Sequence, residues 1–481
     1  MGAVWGEINV GEILFPTAGT CISGDRETPL AGLTTDSRNI RRGELFWALK
    51  GERFDGHDFV SKAIEKGAAG VVIQRGRWNS ESRNKACFRI PGSKSPIPLV
   101  VEVDDTLKAL GDLAAWWRRS HNVRVAAITG SVGKTTTKEM TASILELGKS
   151  TLRNHGNFNN LIGLPLTLLK LKPSHRNAAL EMGMNRRGEI GRLNEIADPH
   201  VGVITNVGMA HLEGVGDLEG VARAKTELVE KISPKGKVIL NGDDSLLMKS
   251  AAPYKREVIT FGLGEKNDVR VTDIRDSGRK GTLFSLRHKG RSWAVKLPVP
   301  GLHNVLNATA AASVGLCLNE PPEHILEGLR LFEGVKGRFV TILLRQGAIL
   351  VDDTYNANPS SLKVSLASLR SLVKTGGRII VGLGEMMELG DAAAAAHVQA
   401  GRRVAELGPY RFFAMGEHAT EMVKGALESG VPPSRAQVVE THGEMAKGIG
   451  EGIREGDLIF LKGSRKMGLE KVVEKLKTTL S

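Results

Sequence analysis

Residues 124 to 140 read RVAAIT, GSVG and KTTTKEM: an apolar strand, a glycine-rich turn and a helix that opens on lysine and threonine. No other feature constrains the chain as much, because this order opens an α/β unit built on a parallel sheet. In such a turn the backbone N–H groups and the helix N-terminus hold phosphate oxygens. Gly130, Ser131, Val132, Gly133, Lys134, Thr135 and Thr136 are therefore the candidate nucleotide contacts. Lys134 would reach the β and γ phosphates. The Thr135 hydroxyl suits Mg2+, a hard cation that takes oxygen ligands. The general pattern has glycine where Ile128 stands, so the loop is a variant form. The alternative is a glycine turn with an incidental lysine, which has to disregard the strand and helix on either side.

The chain has 481 residues, and at roughly 150 per domain that makes about three domains. Apolar residues at 41% and charged residues at 25% are the profile of a folded protein. A net charge of +13 suits anionic ligands such as phosphates, nucleotides or nucleic acid, without choosing among them. Cys21, Cys87 and Cys317 are scattered and form no CxxC, so neither a disulfide framework nor a structural zinc site is read from them. The start lacks a basic segment followed by an apolar core, and no run of about 18 apolar residues occurs. The expectation is a soluble, cytoplasmic enzyme with no membrane insertion.

Residues 1 to 120 mix short apolar strands, at 45 to 49 and 70 to 73, with a helix over 106 to 120 whose Leu107, Leu110, Ala114 and Trp117 share helical spacing. Residues 121 to 336 carry the glycine turn and further strands at 178 to 181 and 201 to 205. Alternating segments follow between 255 and 300 and predict antiparallel hairpins added to the sheet. A helix over 304 to 316 closes this part. From 337 to 481 strand and helix alternate, which predicts a doubly wound, Rossmann-like C-terminal domain; the DAAAAAH run starts one of its helices. The fold class expected is thus α/β in three domains.

Glu181 ends the strand AALE, where a carboxylate faces the nucleotide crevice and could ligate magnesium; a solvated strand-end charge is the alternative. His211 follows the strand VGVIT and is either structural or a ligand to metal or phosphate. Lys225 falls inside the apolar stripe of Leu218, Val221, Ala222, Leu228, Val229 and Ile232. A lysine there snorkels, has a buried partner, or is chemically changed, because burying an unpaired ammonium costs several kcal/mol. Reaction of its neutral amine with CO2 would give a carbamate able to ligate metal. No Asn-Lys-x-Asp guanine-reading motif occurs.

At this point the sequence resembles the Mur ligase family, ATP-dependent amide ligases of cell-wall precursor synthesis. The matching segments run in order through the chain: TTDSRNIRRGELFWALKGERFDGHDF at 34 to 59, ITGSVGKTTTKEM at 128 to 140, GNFNNLIGLPLTLL at 156 to 169 and EMGMNRRGEI at 181 to 190. TNVGMAHLEG at 205 to 214, VARAKTEL at 221 to 228, GLHNVLNA at 301 to 308, GRF at 337 to 339, DDTYNANPSS at 352 to 361, GLGEMMELG at 382 to 390 and LKGSRKMGLE at 461 to 470 complete them.

The resemblance implies an N-terminal domain for the UDP end of the substrate, a central ATP-binding domain and a C-terminal domain that closes over both. It implies Ser37 and Arg38 as UDP-sugar contacts, with Asn157, Asn159 and Asn160 toward the sugar and pyrophosphate; loop and helix capping is the other use for these asparagines. It implies Asn304 and Asn307 as nucleotide contacts, with capping open for Asn304, and Arg338 as a phosphate-reaching arginine, with an interdomain salt bridge open for it. Asp353, Tyr355 and Asn356 match the segment that meets ribose and adenine, unless they only shape a turn. Lys134, Glu181, His211 and Lys225 then serve as the catalytic set, with Thr135, Glu181, His211 and a carbamylated Lys225 holding Mg2+.

The implied reaction joins D-alanyl-D-alanine to UDP-N-acetylmuramoyl-tripeptide, in a monomer that needs no nucleic acid. The tripeptide carboxylate attacks the γ-phosphate of ATP and the dipeptide amine then displaces phosphate. The nearest rival is a sister ligase adding the third amino acid; against it, no Asp-Asn-Pro-Arg motif is found. A basic nucleic-acid-dependent ATPase fits the charge, but the basic residues are dispersed and aromatics are only 5%.

Overall fold

The computed structural model describes residues 3–77, 99–344, 347–373 and 376–480; Cys87 lies outside them. Helices and strands form three sheets of six, nine and six strands, and the chain is a mixed α/β protein. It divides into two compact units: 1–125, 152–182 and 191–199 make the first, and 126–151, 183–190 and 200–481 the second.

In the first unit the strand order is Ala3–Asn9, Pro29–Thr34, Glu44–Trp47, Gly70–Gln74, Leu99–Val103 and Thr20–Ser23. The four middle strands run parallel and the two outer ones antiparallel. Phe46, Ala48, Ala63, Val71 and Val100 pack as its core. The helix Thr106–Arg119 starts where the Asp105 carboxylate accepts from Leu107 N and Lys108 N, and it carries Arg118 and Arg119 in its last turn, where they oppose the helix dipole. Strand Asn177–Glu181, buried throughout, also belongs to this unit.

In the second unit, seven strands of the nine-stranded sheet follow one another in the order Arg291–Leu297, Thr282–His288, Val269–Asp276, Glu257–Gly262, Lys237–Asn241, Val201–Ile204 and Arg124–Thr129. The last four are parallel, and the first three form the antiparallel hairpins that the alternation predicts. Strand Glu257–Gly262, which the pattern did not single out, joins the parallel part. Helices Lys134–Glu146 and Leu302–Cys317 close one core with Ile128, Met140, Val203, Ile239, Phe261 and Val305.

The C-terminal sheet has the order Val340–Leu343, Ile349–Asp353, Leu458–Lys462, Ile379–Gly384, Arg411–Met415 and Ala436–Val438. All pairs are parallel except the first. Separate apolar clusters cover its two faces, as a doubly wound sheet requires. Strand ends at Asp353, Gly384 and Lys462 therefore share one edge, where such sheets bind ligands. Among the described residues no helix is long and apolar enough to cross a membrane.

Candidate active site

Strand Arg124–Thr129 ends at a turn through Gly130, φ +146°, and Gly133, φ +89°, before helix Lys134–Glu146. Only glycine fits both positions: a Cβ on Gly130 would run into Thr205 Oγ1, and one on Gly133 into Asn307 Oδ1. The segment after strand Val201–Ile204 braces the loop. Val132 N donates to Asn206 Oδ1 at 2.9 Å, while Thr205 Oγ1 and Asn206 Nδ2 donate to Val132 O at 2.6 and 3.0 Å. Ser131 Oγ donates to Gly208 O and accepts from Gly208 N, both at 2.9 Å. Lys134 Nζ donates to Gly130 O at 2.7 Å and so lies across the loop it would share with phosphates.

Around this turn the second unit forms a cavity lined by Ser131 to Thr136, His211, His303, Asn304, Asn307, Arg338, Asp353, Asn356 and Lys462. Thr137 Oγ1 donates to Asn307 Oδ1 at 3.4 Å, fixing the amide over Gly133. Asn304 Nδ2 donates to Pro300 O at 2.8 Å; the helix N-cap is Gly301, so Asn304 does not cap it. The Arg338 guanidinium stacks 4.2 Å from the Tyr355 ring centre and its Nη2 donates to Thr135 Oγ1 at 3.4 Å. Asp353 and Lys462 are paired in register at the ends of neighbouring parallel strands and form a buried ion pair at 2.6 Å. Ser365 Oγ donates to the same Asp353 oxygen, and Lys462 Nζ also donates to Asn356 O at 3.0 Å. His303 contacts Ser368 Oγ at 3.0 Å and meets Phe339 edge-on; burial pushes its imidazole down to about 4.

His211 and Glu388 are both non-glycine residues with left-handed backbones, φ +57° and +63°, a conformation that calls for a reason. Their side chains meet, Nδ1 to Oε2 at 2.6 Å, and this contact holds the Glu388 carboxyl below its usual range. They stand beside a second cavity with Asn356, Ser464, Arg465 and Lys466.

Lys225 lies on helix Leu218–Lys231 and is 1% exposed. It does not snorkel. Its Nζ makes no hydrogen bond or ion pair among the described residues, and burial together with nearby Lys134 depresses its ammonium well below the lysine value. A neutral amine is what the site favours.

The remaining candidates lie in the first unit. Ser37 is buried; Arg38 grips Asp36 through Nε and Nη2 at 2.8 and 3.1 Å, which keeps that carboxyl well below its normal value. Asn160 Oδ1 accepts from Ile162 N and Gly163 N in the turn before helix Gly163–Leu168, whose N-cap is Ile162. Asn159 Nδ2 donates to Glu181 Oε1 at 2.7 Å, and Asn157 is exposed. Glu181 is buried, not a solvated strand end, and its Oε2 has no hydrogen-bond partner among the described residues.

Asn154, which the sequence did not flag, exchanges hydrogen bonds with the Glu181 backbone at 2.9 Å. Other residues missed were Asn206, His303, Glu388 and Lys462; only their places in the quoted segments marked them. No group of three or more His, Cys, Asp or Glu gathers to hold a metal among the described residues. The Thr135 hydroxyl, which lines the cavity, is nonetheless an oxygen donor of the kind Mg2+ takes alongside waters and substrate phosphates, so it fits the ion.

Comparison with known proteins agrees with this architecture. Residues 29–118, 128–315 and 337–465 match the models "Mur ligase family, catalytic domain", "Mur ligase middle domain" and "Mur ligase, glutamate ligase domain". The UDP-N-acetylmuramoyl-tripeptide--D-alanyl-D-alanine ligase of Bacillus subtilis is 36% identical over 94% of either chain. That of Escherichia coli is 36% identical over 93% of this chain and 94% of its own. MurF from Acinetobacter baumannii superposes with a TM-score of 0.85 at 32% identity, over 98% of this chain and 99% of that one. MurF ligase from Thermotoga maritima, solved in complex with ADP, gives 0.80 at 28% identity over 93% and 97%. Sequence and fold agree over nearly the whole length, and the chain belongs to the Mur ligase family.

Proposed function

We propose that this chain is an ATP-dependent amide ligase that joins D-alanyl-D-alanine to UDP-N-acetylmuramoyl-tripeptide through an acyl phosphate. The observation that carries this reading is the glycine turn at 130 to 136 opening into one cavity with Asn304, Asn307, Arg338, Asp353 and Asn356, in a chain 36% identical over 94% of its length to a ligase of that name.

The tripeptide's terminal carboxylate oxygen attacks the γ-phosphorus and ADP leaves. The dipeptide amine then attacks the acyl carbon, phosphate leaves, and the amine gives up a proton. Backbone N–H groups of the turn and Lys134 orient the phosphates, and Arg338 faces the same phosphates from across Thr135, so the developing charge meets fixed cations. When bound, Mg2+ would neutralise phosphate charge; Thr135, Glu181, His211 and a carbamylated Lys225 are the residues we assign to it. Asn304, Asn307, Asp353, Tyr355 and Asn356 take the nucleoside, and Ser37, Arg38, Asn157, Asn159 and Asn160 take the UDP-sugar. No protein nucleophile is required, because the substrate carboxylate attacks. Closing the site against water protects an acyl phosphate that would otherwise hydrolyse. We set the domains at 1–120, 121–336 and 337–481, and read the enzyme as a cytoplasmic monomer.

The test is phosphate release by purified protein with ATP, Mg2+ and UDP-tripeptide, offering D-alanyl-D-alanine, single amino acids or nucleic acid in parallel. Release that depends on the dipeptide, with an amide product, supports the assignment. Release with a single amino acid instead moves the chain to a sister activity, and stimulation by nucleic acid without amide formation ends the ligase reading.

A further inference from the structure

The loop Glu385–Leu389 follows the C-terminal end of strand Ile379–Gly384 and delivers Glu388 to His211. Met386 and Leu389 anchor it as buried side chains, and its backbone is tied at Glu385 N to Met415 O, at Met387 N to Ser464 Oγ and at Glu385 O by Ser464 N. Glu388 O also accepts from Glu213 N at 3.5 Å, and a histidine side chain supplies a further tie. Met386 N donates to Nε2 of His397 at 2.9 Å, and His397 is wholly buried on the first turns of helix Ala393–Ala405. Its Nδ1 lies 2.7 Å from Ala393 O, one helical turn back. A carbonyl can only accept, so Nδ1 carries the proton and Nε2 presents a lone pair. The imidazole is thereby fixed as a neutral single tautomer whose acceptor serves the Met386 amide.

We propose that His397 is a positioning residue: through the Met386 amide it sets the loop that carries Glu388, with its left-handed backbone, onto His211 beside the nucleotide cavity. This rests on the ligase reading for its kinetic consequence and on geometry alone for its structural one. Protonating Nε2 would set two N–H groups against each other and release the loop. The groups facing the ring are His418, stacked at 4.8 Å, and the carboxylates of Glu385 and Glu421. Burial keeps the ring below the ordinary imidazole value, so the tie survives at neutral pH.

Two variants separate the acceptor from mere bulk. His397→Gln keeps an amide oxygen near the Nε2 position, and His397→Leu keeps volume without it. In His397→Leu we expect kcat for dipeptide-dependent phosphate release to fall about tenfold to a hundredfold, with KM for ATP nearly unchanged, and His397→Gln to recover most of the loss. Amide exchange at 386 to 389, read by mass spectrometry, rises in the leucine variant and not in the glutamine one. Should the leucine variant not fold, the wild type still shows an acid loss of kcat that His397→Gln lacks. Leucine and glutamine variants with equal rates and equal exchange, or a shared acid limb, overturn the proposal. A wild type without dipeptide-dependent release defeats the ligase reading alone, and the exchange measurement still decides the role of His397.

Discussion

His303 offers the most quantitative test of how the cavity is built. Its imidazole stands at the cavity wall with Nδ1 3.0 Å from Ser368 Oγ and its ring edge-on to Phe339 at 4.9 Å. Burial drives its pKa from 6.5 down to about 4; Asp353 opposes that fall and Lys462 adds to it. A folded-state value below the unfolded one means that the unfolded chain takes the proton first. Above pH 6.5 the ring is neutral in both states and nothing is lost. Between 6.5 and about 4 stability falls with pH by up to about 1.4 kcal/mol per unit, reaching a ceiling of roughly 2 kcal/mol at pH 5 and roughly 3 kcal/mol once the folded ring also protonates. His303→Leu removes the ring at a constant cost, so its stability difference from the wild type should shrink on the way from pH 7.5 to 5. The direct assay follows the histidine Cε1–H resonances with pH, the His303→Leu spectrum supplying the assignment. A midpoint near 4 is expected. One at 6 or above, or wild-type and variant stabilities that run parallel with pH, would refute the claim that this wall excludes a charged imidazole.

Three further outcomes follow from the same geometry. Gly133→Ala places a Cβ against Asn307 Oδ1 at φ +89°; a left-handed alanine alone costs about 1–2 kcal/mol, so both melting temperature and ATP turnover should fall, and an unchanged melting temperature would sink the reasoning. Lys462→Met strands the Asp353 carboxylate, 5% exposed, with Ser365 as its one remaining side-chain partner among the described residues; urea unfolding should show a loss of about 3–5 kcal/mol, most of it recovered in the double variant with Asp353→Asn, and simple additivity of the two would contradict the pairing. Lys225→Ala should lose turnover that short carboxylates restore, as expected if a carbamate normally supplies that charge; full activity without rescue would exclude it.

What could be read from the chain in advance was whatever is local. The turn at 130 to 136 announces itself because the apolar period switches at the glycines, and helix Pro359–Leu369 begins at the Asn358 capping box and proline that mark such starts. The hairpins over 269 to 297 alternate with one face in the core. Edge strands such as Val340–Leu343 did not stand out, since half-exposed short strands carry little pattern. At the site, Gly133 was legible from the turn and Asn307 from the family resemblance, but their contact was not, because it brings together residues 174 positions apart only in the folded chain. The same holds for Glu388 with His211 and for Asp353 with Lys462. No spacing rule encodes a contact made by the register of parallel strands separated by more than a hundred residues.

Lys225 and Lys462 show why burial alone does not define what a lysine does. Both are almost completely shielded from water, and burial lowers the ammonium in both. Lys462 is answered at 2.6 Å by Asp353 and at 3.0 Å by Asn356 O, so a positive charge there has a counter-charge and a fixed geometry that ties two strand ends together. Lys225 has no such partner among the described residues and faces Lys134, a second cation. Leaving a proton on it would add repulsion to desolvation, and both push toward a free amine. Only a free amine is nucleophilic enough to capture CO2, and the product would exchange a repelled cation for an anion beside Lys134. The sequence put Lys225 in an apolar stripe and did not single out Lys462; the presence or absence of one carboxylate decides that Lys462 is a strut and Lys225 a candidate for modification.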